Sequence, residues 1–346
     1  MIWKYLALVS IFLLYEVCLI SSASTSIIEY KNVITVDDEP GDADFTSIKE
    51  AVDYCSPGDT IQVYSGIYNE DGIYIEKENI SLLGISHELG EGNDTGKPFI
   101  KGNGSDSVID IEASHVIVSN FTIENPDKET MNFTCDIFVQ RNPGYEQNNI
   151  TIENCNITSS AHTGIYVSYI RDNICIINNY IYNCFLDGIN IMSYSPISSF
   201  IISGNIITDC KNSGIEFMSN DRNISGNKIK RCKLGISFGG NNNVIYGNDI
   251  ENCNTGISYG GNGNIITMNN FKNYSRIGFW FNKLFFYPVK NRWIANYWDT
   301  WSGIGPMKIL GFSVIGWRLL FFQIQLLIPI PWFEFDCFPS YEPYDI

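Results

Sequence analysis

From residue 150 onward, short apolar bursts are separated by Asn and Gly, and one arrangement recurs. An apolar residue precedes an Asn, Ile follows two places on, Cys lies five places after the Asn, and Gly-Ile-x-apolar closes the unit. The Asn column is Asn179, Asn205, Asn227, Asn248 and Asn269. The Cys column is Cys184, Cys210, Cys232 and Cys253, preceded by Ser160 and followed by Tyr274. The Gly column is Gly164, Gly188, Gly214, Gly235, Gly256 and Gly278, with spacings of 24, 26, 21, 21 and 22 residues. The Gly-Ile-x-Phe alternation has period two, so it predicts strand rather than helix. A unit this short cannot bury a core alone, and stacking such units gives a solenoid. Like residues then lie about 4.8 Å apart, and a buried Asn column can hydrogen-bond along itself.

Earlier runs fit the same scheme less regularly: 60–63, 73–75, 80–83, 108–111 and 116–123. About ten coils predict a rod on the order of 45 Å long. Both ends need cover. Ser47 and Glu50 have capping-box spacing, which predicts a short helix over the first coil. Residues 283–346 change character: six of the seven Trp fall between 280 and 332, as expected of an aromatic C-terminal cap.

The first 24 residues read as a secretory signal, with Lys4, an apolar run over 6–15 and small residues at Ser22, Ala23 and Ser24. An uncleaved anchor shares that pattern. The remaining divisions are 25–59 (strand and capping helix), 60–282 (repeats) and 283–346 (C-terminal cap). The expected location is therefore extracellular, periplasmic or at the cell surface. Residues 309–330 are long enough to cross a bilayer, but Arg318, Gln323 and Gln325 interrupt them. Membrane contact could come from this stretch or from the N-terminus, and a cap is the favoured reading of 309–330.

Of 346 residues, 38 are acidic and 22 basic, for a net charge of −16. That balance excludes a nucleic-acid partner, which needs clustered Lys and Arg. Three His exclude a His-rich metal site, so no resident cofactor is expected, with calcium the one ion left open. The 37 Asn are explained in large part by the ladder. The aligned Cys can be read as a disulfide column, a soft-metal column or buried small hydrophobes, and the last is favoured.

The run Asp44-Phe45-Thr46-Ser47-Ile48, then Ser56-Pro57-Gly58-Asp59-Thr60, then Tyr64-Ser65-Gly66-Ile67-Tyr68, resembles the opening of right-handed parallel β-helix proteins of the pectate-lyase-like fold. More narrowly it resembles the NosD-like, carbohydrate-binding surface proteins. Asn296-Tyr297-Trp298-Asp299 and the terminal Pro343-Tyr344-Asp345-Ile346 are similar to that family's end. The resemblance implies an all-β, single-stranded right-handed parallel β-helix. It carries over no catalytic residue, because the methylesterase and alginate-epimerase motifs are absent. The family name also leaves a metal-handling accessory role open.

One candidate face remains. The position between the two inward residues after each Gly reads Tyr166, Asn190, Glu216, Ser237, Ser258 and Trp280. Aromatic, amide and carboxyl groups on a flat face suit a sugar polymer, although an ordinary solvated face has the same composition. Tyr166, Asn190, Glu216 and Trp280 are the candidate ligand-binding residues. Asp187, Glu216 and His162 are the candidate catalytic group. Strand rise and coil spacing place the two acids about 9–11 Å apart, beyond a retaining glycosidase pair. The expectation is a non-catalytic exported protein that binds carbohydrate or builds a surface. The alternatives are a polysaccharide lyase or hydrolase and the metal-handling accessory role.

Overall fold

A computed structural model describes residues 32–90, 92–126, 134–140, 148–158, 160, 162–168, 172–192, 200–274, 280–283, 291–304, 306–318 and 325–346. It is a right-handed parallel β-solenoid of about nine turns. Three sheets run along its length, of 14, 10 and 8 strands, with consecutive coils hydrogen-bonded in parallel. The predicted signal segment 1–24 lies outside the described residues.

The registers follow the sequence columns. Ile165, Ile189, Ile215, Ile236 and Ile257 are opposite one another and fully buried in the 8-stranded sheet. Phe217, Phe238 and Tyr259 stack behind them, with ring centroids 5.1 and 5.2 Å apart. Each of these coils has a sharp corner at which one residue has a positive φ. Asn154, Asn178, Gly204, Gly226 and Gly247 have φ between 54° and 68°. Asn and Gly tolerate that region best, so corner chemistry accounts for part of both compositions.

Asn178, Gly204, Gly226 and Gly247 each directly precede a ladder Asn, while Asn154 precedes Cys155, whose N–H donates to Asn179 Oδ1. The backbone N–H and side-chain amide of Asn205 both donate to Asn227 Oδ1, at 3.0 Å each. Asn227 repeats this toward Asn248, and Asn248 toward Asn269. The structure extends the ladder to Asn296, where Asp336 takes over: its Oδ2 accepts from Asn296 N, Asn296 Nδ2 and Trp298 Nε1. A second ladder, absent from the sequence alignment, runs through Asn243, Asn264 and Asn291 at another corner and ends on Glu334. Two acids spaced i, i+2 on the last strand thus terminate two interior amide ladders.

The Gly column is steric. A Cβ at Gly214 would lie 2.4 Å from Ile229 Cγ2, and one at Gly235 would lie 2.4 Å from the Gly256 carbonyl oxygen. Earlier turns depart from this rule: Val108 and then Asp136 precede Gly164 in the column, both fully buried, and Asp136 is the polar one. Burial pushes its carboxyl well above the usual range, opposed by the nearby Ser160 hydroxyl and the Asn125 backbone. Ser160 stands where the later coils have Cys, so a polar pair replaces a Gly–Cys pair inside the rod.

The described cysteines are all free thiols. Cys210, Cys232 and Cys253 point Sγ at backbone carbonyls two residues back, and their thiols are shifted far upward. All three belong to the buried hydrophobic core. The column therefore behaves as core packing.

At the front, the helix Ile48–Tyr54 buries Ile48, Ala51 and Val52, and Ser47 Oγ accepts from Glu50 N at 3.2 Å. At the back, Met307–Arg318 and Gln325–Asp336 form a long antiparallel pair. No helix among the described residues is long and apolar enough to cross a membrane.

Candidate functional site

The 8-stranded sheet turns one column outward along its whole length. In coil order it reads Tyr74, Asp110, Phe138, Tyr166, Asn190, Glu216, Ser237 and Ser258. The predicted order from Tyr166 to Ser258 is therefore correct. Trp280 falls outside that hydrogen-bonded order. Its strand, Trp280–Lys283, pairs with Phe312–Ile315 of the long hairpin, and the 8-stranded sheet ends at Thr255–Gly260. The long antiparallel arm offers that short strand a ladder for its backbone groups, while the strand still lies against Thr255–Gly260.

Asp187 and Glu216 converge more than coil arithmetic predicts. Asn212 Nδ2 is 2.8 Å from Asp187 Oδ1 and 3.5 Å from Glu216 Oε2. One amide nitrogen reaches both carboxyls, so the facing oxygens are far closer than about 9–11 Å. The reason is the corner: Asp187 precedes its strand, and Asn212 and Ser213 of the next coil lean over the same edge. Asp187 is 3% exposed and fully engaged, accepting also from Ser213 N and Asn190 Nδ2. Asn190 itself is 6% exposed, so its amide supports Asp187 instead of standing open. Glu216 is half-buried and accepts from Ser213 Oγ at 3.0 Å. Desolvation and then the Asp187 charge raise its pKa, with the Ser213 hydroxyl opposing. His162 is pushed down by desolvation, against the pull of Asp187, and its Nδ1 lies 3.3 Å from Thr163 Oγ1.

A second acid–amide group lies toward the N-terminus of the same face. Gln140 Nε2 donates to Asp110 Oδ2 at 2.7 Å and to Glu112 Oε1 at 2.9 Å. Tyr74 OH donates to Asp106 Oδ2 at 2.5 Å. Desolvation, then Glu112 and Asp106, push the Asp110 carboxyl up to about 8. Between the two groups, Phe138 and Tyr166 pack with centroids 5.4 Å apart. Aligning repeats from residue 150 misses Asp110, Glu112, Phe138 and Gln140. The earlier coils are longer, and only the tertiary register shows them in one column. The available signal was the run Ile109-Asp110-Ile111, whose alternation turns Asp110 outward.

Two overlapping matches, at residues 99–238 and 144–286, identify the chain with the model described as a right-handed beta helix region. No curated protein matches the sequence. Among solved structures, a lacto-N-biosidase from Eubacterium ramulus superposes with TM-score 0.55 at 12% identity, over 77% of this chain and 60% of that one. The chain thus spans three fifths of that protein's length. XylC in complex with xylose superposes with TM-score 0.52 at 13% identity, over 77% of this chain and 69% of that one. Likeness at such identities concerns the fold.

Proposed function

Because the chain belongs to the right-handed β-helix family, its matches covering more than half its length, we propose that it is an exported protein that binds carbohydrate through the outward face of its 8-stranded sheet. The observation that carries this reading is the aromatic pair Phe138 and Tyr166, set on a flat strip between two acid–amide groups. Sugar rings present C–H faces to aromatic rings and hydroxyls to carboxyls and amides. From Asp110 to Glu216 is four coil steps, or about 19 Å. A strip of that length takes an oligosaccharide segment, not a single sugar. Export rests on the apolar segment 6–15 with Lys4 before it. The carbohydrate-active proteins on related folds are consistent with this substrate class.

The chain is expected to bind defined oligosaccharides on a glycan array, and Tyr166→Ala to weaken the best of them at least tenfold in titration calorimetry. Binding unchanged by that substitution would place the site elsewhere.

A second reading, catalysis, is favoured by one observation: Glu216 is a half-buried carboxyl with a raised pKa beside another acid, as a general acid requires. Against it, Asp187 is held by three donors and is nearly inaccessible. Product analysis after incubation with the bound glycans is expected to reveal no cleavage. Turnover that Glu216→Gln abolishes would reverse this ranking.

A further inference from the structure

Two loops meet beside the first coils, away from the strip just described. One follows the strand Val33–Val36 and carries Asp37, Asp38, Glu39 and Asp42. The other lies between the strands Ser81–Gly84 and Phe99–Lys101 and carries Glu88 and Asp94. Ligand oxygens of Asp37, Glu39 and Glu88 lie within 4.8 Å of one another, and so do those of Asp38, Glu39 and Asp94. Glu39 is common to both groups.

The second observation concerns hydrogen bonds. Asp37 is 0% exposed, and neither of its carboxylate oxygens has a hydrogen-bond partner. Asp38 Oδ1 and Glu39 Oε2 are buried and unpartnered as well. Asp38 is held in place through its other oxygen, which accepts from Ile67 N at 3.0 Å. Glu88 is likewise held, by the backbone N–H groups of Leu89 and Asp94. Gly66 makes room for the arrangement, since a Cβ there would be 1.9 Å from Asp38 Oδ1. Among the described residues, none of the ion pairs involves these acids. Burying acceptor oxygens without a donor or counter-charge is costly, and a cation removes that cost.

We propose that Asp37, Asp38, Glu39, Glu88 and Asp94 form a calcium site that fastens the loop after the first strand to the 85–98 loop. The donors are all carboxylate oxygens, which suit calcium, magnesium or manganese and not the sulfur-seeking copper(I). Several flexible carboxylates from two loops suit the irregular six- to eight-fold shell of calcium better than the strict octahedron of magnesium. The site also binds the front of the rod, where strands are short and the coils longest, into one unit.

The test uses the full chain stripped with EGTA and titrated with calcium chloride. Calorimetry is expected to give one saturable event, the melting temperature to rise by several degrees, and magnesium to need at least tenfold higher concentration for the same shift. In Asp37→Asn/Glu88→Gln the calcium affinity is expected to fall at least tenfold. The stripped variant is expected to melt at or above the stripped wild type, because two facing carboxylates are neutralised. Asp110→Asn, on the sheet face, is expected to retain the full calcium response. Terbium gives a reading on the wild type alone: tyrosine-sensitised emission from a bound ion near Tyr68, displaced by calcium. No saturable calcium binding to the wild type at millimolar concentration would overturn the proposal. So would wild-type affinity in the double variant.

Discussion

Asn227→Ala is expected to lower the unfolding free energy by about 3–5 kcal/mol, read from the urea midpoint. The side chain is fully buried and works in both directions. Its Oδ1 accepts from Asn205 N and Nδ2, and its Nδ2 donates to Ile202 O, Ser225 O and Asn248 Oδ1, all between 2.9 and 3.1 Å. Alanine removes these bonds and leaves a buried backbone N–H on Asn205 without an acceptor. Each orphaned buried group costs about 1–3 kcal/mol, more than the bond itself contributes net. A matched control lies at an exposed corner, where Asn241 Nδ2 donates to Asn220 Oδ1 and Asn241 Oδ1 accepts from Asn262 N. Water can replace those partners, so Asn241→Ala is expected to cost under about 1 kcal/mol. Equal losses at the two positions would mean that burial is not what makes the ladder matter.

Asp110→Asn is expected to stabilise the protein at pH 7 by on the order of 2–4 kcal/mol and to flatten its stability between pH 4 and 8. The folded carboxyl titrates near 8, and that of an unfolded chain near 3.8. Between those values the unfolded state loses its proton and the native state keeps it. The native state therefore binds more protons, and unfolding becomes easier as pH rises, by about 1.4 kcal/mol per unit. This group's contribution is intact below about pH 4 and lost as pH passes through about 8. Asp136 acts in the same direction. The difference between wild-type and Asp110→Asn curves isolates Asp110. Parallel curves across that range would show that Asp110 is ionised in the folded state.

Such a penalty is informative about function. A carboxyl held neutral by burial, next to Glu112 and a bridging Gln140, is costly for the fold alone. Asp110 is only 4% exposed and its Oδ1 is buried, so it reaches no sugar itself and acts by holding Gln140, and through it Glu112, at the polar end of the strip. The Tyr166→Ala titration, repeated on Asp110→Asn, measures whether the polar end of the strip contributes as the aromatic centre does.

Periodicity alone determined the solenoid, because a 21-residue repeat with alternating Ile positions has one way to bury both. It also determined the Asn ladder, the Gly column and the outward order from Tyr166 to Ser258. Tertiary structure decided whatever depends on how unequal coils come into register. It paired the strand of Trp280 with the long C-terminal arm and drew Asp187 and Glu216 around one amide. It placed Asp110 and Phe138 in the same column as Glu216, across loops that defeat alignment. It ended the two amide ladders on Asp336 and Glu334, and it brought Asp37 and Glu88 together from loops some fifty residues apart. A repeat writes its period into the chain because every coil meets the same neighbours. Contacts between corners, loops and ends occur once, so no periodic signal records them.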